Sequence, residues 1–499
     1  MPEGELKPED LASAFANFVR QIASAAGRES ALLDRLTAHL GADPAQLPVT
    51  AEQFDTFDAP NLQVALEAYL KEDGRSADLV GVSMENKRFM AAGLSELVSH
   101  SEYRPGLAEG PVDFVNYHLD GDRILPCVNH GLYLVRDGDK RLVALVMGPS
   151  EMGDPRRQRL HLEVMAARAE DAPPFIVEVS GLMDRLNVYR GHTILLTPGM
   201  WIGQGPSTLV QFQSIPKVEA GDVVLPPGVL ERIERQTVTF AAHAAKLRAA
   251  GRSLKRGVLL HGLPGTGKTL TVMHLIGRMQ DRTVILMTGR GLSLIENVAK
   301  MARQLAPSMV VMEDVDLVAE ERTMPGFRGG PILFELLNEM DGLRDDQDVI
   351  FVLTTNRADL LEPALAARPG RIDLVVELPL PDAAGRRRLI DLYARGLELR
   401  DVDLPALVAR TEGATPAYVK ELLRKAALRA IEESGDNVVL QKHIDSAHEE
   451  LAQGGRLAER ILGFRPDASA SMPYGGPGSP PSEVRMTGFP AQAFLRKKT

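Results

Sequence analysis

Apolar residues recur at helical spacing through the first hundred positions. Leu11, Phe15, Phe18 and Ile22 fall on one stripe, Leu33, Leu36 and Leu40 on a second, and Leu62, Leu66 and Tyr69 on a third. Such spacing places each set on one side of a helix, so the pattern predicts a helical domain over residues 1–105. A partner groove is the sharper use of these stripes; facing the chain's own core is the ordinary one. From about residue 110 the period shortens. Runs at 112–118, 132–136 and 142–147 read as strands, the last two forming a hairpin across Asp137-Gly138-Asp139-Lys140. A helix is predicted over 156–169, with further strands over 175–179, 193–197 and 208–215. Residues 106–215 therefore read as an α+β domain for a substrate or partner.

A proline-bearing connector, 216–227, leads to a predicted helix over 229–250, which runs into a glycine-rich loop at 262–269 and packs beside the ligand of that loop. Apolar strand-like runs at 257–261, 283–287, 309–312 and 349–353, separated by helical stretches, predict an α/β subdomain over 216–382. Helices over 383–394, 416–431 and 441–461 make a smaller helical subdomain, 383–464. The remainder, 465–499, is rich in glycine, proline and serine and is expected to be a disordered tail.

Composition narrows the classes. Across 499 residues, 57 basic against 67 acidic side chains leave a net charge of −10, which gives no global attraction to nucleic acid. The single cysteine, Cys127, excludes an internal disulfide framework and suits a reducing compartment. Cys127 and His130 have C-x-x-H spacing without a second ligand pair, so a packed thiol is the reading rather than zinc. The basic cluster Arg156, Arg157 and Arg159 reads as a solvated helix face. No apolar run reaches the ~18 residues of a membrane span, and the start lacks the regions of a signal peptide. A cytoplasmic location without a membrane span is expected.

The chemistry concentrates at Gly262-Leu263-Pro264-Gly265-Thr266-Gly267-Lys268-Thr269, set between an apolar strand and a helix opening at Leu270. Glycines let backbone N–H groups turn inward around a phosphate at the positive end of a helix; Lys268 adds a cation and Thr269 a hydroxyl for Mg²⁺. The stretch from Gly262 to Leu270 therefore reads as a nucleoside triphosphate site. The run 309–312 ends in Glu313-Asp314-Val315-Asp316, delivering carboxylates to a metal and an attacking water. The next strand ends at Asn356, whose amide suits holding that water in line with a γ-phosphate. Arg368 and Arg371 flank a proline-glycine turn; placed at a neighbour's site they would neutralise transition-state charge.

Across residues 222–460 these segments resemble the AAA ATPases within the AAA+ group: Walker A at Gly262 to Thr269, Walker B at 309–314, sensor 1 at Asn356, and an arginine-finger segment at 368–373. The resemblance implies a five-stranded parallel sheet flanked by helices, a helical lid, and a ring, usually a hexamer, with active sites between subunits. It implies that Lys268 and Thr269 bind phosphate and Mg²⁺, that Asn356 senses the γ-phosphate, and that Arg368 and Arg371 reach the adjacent subunit's ATP. Tyr393 falls where many members carry a lid histidine near the purine.

Three departures stand out. Most members read Asp-Glu where this chain reads Glu313-Asp314. That order assigns Glu313 to the metal and Asp314 to the water, with reach altered by a methylene at each. It resembles the branch of the mitochondrial translocase that moves the Rieske iron–sulfur protein, whose membrane anchor has no counterpart here. Threading members carry an aromatic pore loop where this chain has 288–295 without an aromatic; Arg290, Leu292 or Phe327 are the alternative pore residues, and simple loop geometry the plain reading. Pro416-Ala417 replaces a common Gly-Ala in the lid. No H-E-x-x-H occurs, which speaks against a fused zinc protease.

The expectation is Mg²⁺-dependent ATP hydrolysis in a ring-shaped homo-oligomer, coupled to remodelling of a protein client bound by residues 1–215. The alternative is a slow-turnover, ATP-gated assembly scaffold that threads nothing. Nucleic-acid remodelling lacks both the charge and a recognised module.

Overall fold

The computed structural model describes residues 29–83, 93–98, 108–148, 159–199, 207–287, 294–316, 338–339, 342, 345–359 and 372–453. The stripe at Leu11 to Ile22, the Arg156–Arg157 pair, Arg290, Leu292, Phe327, Arg368, Arg371 and the tail 465–499 lie outside the described residues.

The N-terminal part is one sheet clad on both faces. Strands β1 (Val49–Phe54), β2 (Arg75–Ser83), β3 (Ala108–Gly110), β4 (Asp113–His118), β5 (Ile124–Asp137), β6 (Lys140–Met147) and β7 (Leu160–Ala166) pair in the order β1-β7-β6-β5-β2-β3, with β4 on β5. Every pairing is antiparallel. Helices α1 (Glu29–Leu40) and α3 (Leu94–Val98) bury Leu36 and Leu94 against Leu132, Val143 and Leu145 on one face. On the other face α2 (Ala59–Leu70) and α4 (Ala172–Arg185) bury Leu62, Tyr69, Phe175 and Val179 against Val135 and Leu162. Tyr69 and Phe175 meet edge to face at 4.9 Å. Coverage on both sides explains why β6 carries an unbroken apolar run, Leu142 to Met147, instead of alternation.

The helical domain predicted for residues 1–105 is not what the structure shows. The stripes at Leu33 to Leu40 and Leu62 to Tyr69 are helices, but β1 and β2 lie between and after them and join the sheet of β5 to β7, so a boundary at 105 would cut one sheet. Strand β1 pairs on one side only and leaves Ala51, Glu52 and Gln53 exposed, so it carries no apolar period to read. Two further elements exchange type. The helix predicted at 156–169 is strand β7, whose Leu160, Leu162 and Val164 are buried in alternation with half-buried His161 and Glu163. The strand predicted at 175–179 belongs to α4. Its β-branched look hid the helical spacing of Phe175, Ile176, Val179, Leu182 and Met183, all buried.

A second sheet holds β10 (Arg256–His261), β11 (Thr283–Met287), β12 (Ser308–Met312), β13 (Val349–Thr355) and β14 (Leu374–Glu377) as the five parallel strands expected. Two more strands extend it. β8 (Thr193–Gly199) runs parallel to β11, and β9 (Ser207–Phe212) runs antiparallel outside β8, giving the order β14-β10-β13-β12-β11-β8-β9. The expected boundary at 215 therefore also divides a sheet. Helices α5 (Lys268–Arg278) and α6 (Ile295–Gln304) cover opposite faces, through Leu275 on one side and Val298 on the other. The segment 229–249 is a broken run of short helical pieces rather than the single helix predicted.

The N-terminal sheet is fastened to this one through residues 55–61 and 187–193. Phe57 is buried in the same core as Tyr189, Ile194 and Ile285, and the Tyr189 hydroxyl donates to the Phe57 carbonyl at 2.7 Å. Lys300 on α6 reaches Asp55 at 2.6 Å. Beyond β14, helices α7 (Ala383–Tyr393), α8 (Leu404–Arg410), α9 (Pro416–Ser434) and α10 (Gln441–Gln453) form a helical subdomain around Leu389, Tyr418, Leu422 and Ile444. Among the described residues no helix is long and apolar enough to cross a membrane.

Candidate functional site

Parallel strands bring their C-terminal ends to one edge of a sheet. Here Leu259, Val311 and Val352 share that direction, so His261, Met312 and Thr355 finish at the same edge, where the glycine-rich loop begins. Gly262 has φ +152°, and a Cβ there would sit 2.5 Å from the Leu378 carbonyl oxygen. Gly265 has φ +80°, and its Cβ would meet the Ala417 Cβ at 2.8 Å. Gly267, at φ +99°, caps α5. The loop is thus shaped by left-handed backbone and by close approach to the first turn of α9, where the Ala417 N–H donates to the Gly265 carbonyl at 3.2 Å.

Lys268 opens α5 and is only 7% exposed. Its Nζ donates to the carbonyls of Gly262 at 2.9 Å and Leu263 at 3.0 Å, curling over the loop. Burial lowers its pKa, while Asp314 and Asp316 pull it up. Thr269 is exposed on the first helical turn. Leu263 is exposed and Pro264 half-buried; Thr266 is buried and its hydroxyl donates to the Leu263 carbonyl at 2.9 Å.

Strand β12 is buried throughout and leads directly into Glu313. The Glu313 N–H donates to the Met287 carbonyl at 3.1 Å, and its Oε1 is buried with no hydrogen-bond partner among the described residues. Asp314 sits at φ +51°, a left-handed conformation that costs an ordinary residue about 1–2 kcal/mol and that Asp tolerates best after Gly and Asn. Its N–H donates to the Thr354 hydroxyl at 3.1 Å, and its Oδ1 accepts from the Asn356 side-chain amide at 3.0 Å. Asp316, 5% exposed, accepts on Oδ1 from the Thr355 hydroxyl at 2.9 Å and from the Asn356 N–H at 3.1 Å. The structure therefore brings Asp314 and Asn356 into contact and sets Glu313 and Lys268 beside them.

Beside the loop lies a pocket lined by Asp222, Val223, Val224, Leu225, Thr266, Gly267, Leu270, Leu389, Tyr393 and Pro416. It is bounded by the connector, the glycine-rich loop and the helical subdomain. Tyr393 and Leu270, both named from the sequence, line this pocket. Asp222 to Leu225 were read only as a connector, and Leu389 carried no signal beyond its place on a helix. The expected flank, 229–250, adds no lining residue. Asp222 is held by the Glu219 N–H at 3.0 Å and by Arg395 at 3.2 Å. Burial, assisted by the Asp222 charge, raises the Tyr393 pKa and keeps the phenol neutral.

Elsewhere the chemistry is quiet. Burial pushes the Cys127 thiol up to about 12, which excludes a reactive thiolate, and no cluster of His, Cys, Asp and Glu among the described residues is able to hold a metal. Arg159 pairs with Asp55 at 3.7 Å.

Residues 258–380 match the family model described as ATPase family associated with various cellular activities (AAA), and residues 401–446 match the AAA+ lid domain. Among curated relatives, an ATP-dependent zinc metalloprotease FtsH 3 of Sphaerobacter thermophilus is 33% identical over 277 residues, covering 53% of this chain and 56% of the relative. An ATP-dependent zinc metalloprotease FtsH of Acaryochloris marina is 34% identical over 271 residues, covering 51% of this chain and 40% of the relative. A proteasome-activating nucleotidase of Pyrococcus horikoshii is 29% identical over 316 residues, covering 58% of this chain and 78% of the relative. The chain spans about half the length of the metalloproteases it matches. It carries an AAA ATPase domain followed by an AAA+ lid, and AAA ATPases use ATP with Mg²⁺. The residues present fit both: a Cβ at Gly262 or Gly265 would clash with Leu378 or Ala417, so the loop presents bare backbone, Lys268 is a buried cation beside it, and Glu313 Oε1 is a buried acceptor without a donor among the described residues.

Proposed function

We propose that the protein hydrolyses ATP with Mg²⁺ in a ring-shaped homo-oligomer, a hexamer, and couples the reaction to remodelling, unfolding or disassembly of a protein client bound by its N-terminal sheet. The observation that carries the ATPase part is the contact between Asn356 and Asp314 at the strand edge beside the glycine-rich loop. Backbone N–H groups of Gly265 to Thr269 cradle the phosphates, and the pocket of Val223, Leu270, Leu389 and Tyr393 takes the adenine. The Thr269 hydroxyl and the Glu313 carboxylate would hold Mg²⁺, which would supply neutralisation of the phosphate charge. Lys268 exchanges its loop carbonyls for the γ-phosphate.

Asp314 accepts a proton from a water that Asn356 orients; the water oxygen bonds to the γ-phosphorus, the bond to the β–γ bridging oxygen breaks, and ADP and phosphate leave. Arg368 and Arg371 of an adjacent subunit complete the charge balance. Both kinds of relative, the ATP-dependent metalloprotease and the proteasome-activating nucleotidase, carry names that support work on proteins. The Glu313-Asp314 order supports kinship with the branch of the Rieske-protein translocase.

Steady-state ATP turnover against protein concentration, with mass from light scattering, tests this. Turnover that rises with assembly and is lost in Asp314→Asn and Arg371→Ala supports the reading. An assembly that binds ATP without turning it over points to the second reading, a nucleotide-gated scaffold, which the aromatic-free segment 288–295 favours.

A further inference from the structure

We propose that Asp316 is a positioning residue for the hydrolytic step, acting through Asn356; this rests on the ATPase reading. Up to Met312 and Leu353 the two strands β12 and β13 run in parallel register. Beyond those residues the ladder is replaced by a clasp. The Val315 N–H donates to the Thr354 carbonyl at 3.0 Å and the Asp314 N–H to the Thr354 hydroxyl at 3.1 Å. Asp316 closes the clasp, because one oxygen, Oδ1, accepts both the Thr355 hydroxyl and the Asn356 N–H. The Thr355 hydroxyl accepts in turn from the Arg357 N–H at 3.0 Å. Asn356 is therefore held at two points: its backbone by Asp316 and its side chain by Asp314.

The two carboxylates divide the work. Half-buried Asp314 accepts from the Asn356 side-chain amide, and buried Asp316 from the Asn356 backbone. A buried carboxylate is costly unless its oxygens are satisfied, so removing its donors or its acceptor reshapes the end of β13. Reaction rates respond steeply to such shifts, since misplacing a catalytic group by about 1 Å costs on the order of 100-fold. Asp316 itself touches neither water nor phosphate in this scheme, and nucleotide affinity is set by the loop and the pocket. Its loss therefore acts on turnover rather than on binding.

The test compares Asp316→Ala, Asp316→Asn, Asn356→Ala and the double variant Asp316→Ala/Asn356→Ala in the full chain, reading kcat, KM for ATP and ADP affinity, with Lys268→Ala as the background. Asp316→Asn keeps a carbonyl oxygen able to accept both donors, so its kcat stays within a few-fold of the unaltered protein. Asp316→Ala lowers kcat by roughly 10- to 100-fold with KM and ADP affinity within about twofold. The double variant is no slower than Asn356→Ala, because the second loss acts through a group already removed. If Asp316→Ala does not fold, Thr355→Val, which removes one of the two donors, takes its place with the same kcat-against-KM pattern. An unchanged kcat, a loss shared equally by ADP affinity, or effects that multiply in the double variant would overturn the assignment alone. Turnover of the unaltered protein no higher than that of Lys268→Ala would overturn the ATPase reading and the assignment with it.

Discussion

The side-chain amide of Asn356 donates to the carboxylate of Asp314 at 3.0 Å, joining the ends of two neighbouring parallel strands. Asp314 is left-handed at φ +51°, so the backbone turns its carboxylate toward the amide rather than continuing the strand. Asp314→Asn is expected to lower ATP turnover by roughly 10²–10⁴-fold while leaving nucleotide binding intact, because an amide accepts no proton. Single-turnover hydrolysis beside calorimetric ATP titration separates the two effects.

Gly265 is the point where the phosphate loop touches the lid. Gly265→Ala adds a Cβ 2.8 Å from the Ala417 Cβ at a φ of +80°, so both loop and lid must shift. ATP affinity is expected to fall by roughly tenfold or more, about 1.4 kcal/mol, measured by calorimetry. Gly277 supplies the contrast: it lies within α5 with nothing within 4 Å of an added Cβ. Gly277→Ala should stabilise the chain by about 0.5–1 kcal/mol in urea denaturation and leave ATP affinity alone.

Tyr393 lines the pocket together with Val223 and Leu270. Loss of base-to-ring stacking is worth about 1–3 kcal/mol, so Tyr393→Ala should weaken ATP and ADP alike by roughly 5- to 150-fold. Tyr393→Phe keeps the ring and should stay within about twofold, because the neutral phenol is needed for shape rather than charge. A fluorescent ADP displacement assay distinguishes the variants; equal affinity for both would remove Tyr393 from the site.

Asp58, at the junction of the two sheets, titrates at about 6 instead of 3.8 because burial penalises its charge, and nearby Asp55 adds to this while Asn61 and Lys300 oppose it. A carboxyl whose folded pKa is raised contributes stability below its unfolded pKa and loses it as pH climbs through about 6. Asp58→Asn should therefore leave stability near pH 4 almost unchanged and gain, relative to the unaltered protein, between pH 4 and 7. After discounting for partial exposure the gain is about 1–2 kcal/mol, read from urea midpoints across pH. A gain that is largest at pH 4 would contradict the burial argument.

Phe57 enters the core of the ATPase sheet from the N-terminal unit and is 4% exposed. Phe57→Ala should cost about 3–5 kcal/mol in denaturation and broaden the transition, since the cavity lies between two sheets. Lys300→Ala, which removes one of the two exposed partners of Asp55, should cost less than about 1 kcal/mol.

Local chemistry was legible in the chain itself. Glycines at 262, 265 and 267 followed by Lys268 and Thr269 read as a phosphate loop, because the requirement is for backbone N–H groups and a cation within a few bonds of one another. The runs that became β10 to β13 were readable for a similar reason: strands buried on both faces need no alternation and stand out as solid apolar blocks. What only the tertiary structure decided is which of these segments share a sheet. β8 and β9 were predicted as strands, but nothing local says that they pair beside β11, and β1 shows little apolar pattern because an edge strand buries little. The pocket residues Asp222 to Leu225 and the clasp at Asp316 were equally silent, since a connector and a third carboxylate acquire a role only from groups far off in sequence that folding brings within 3 Å or so of them.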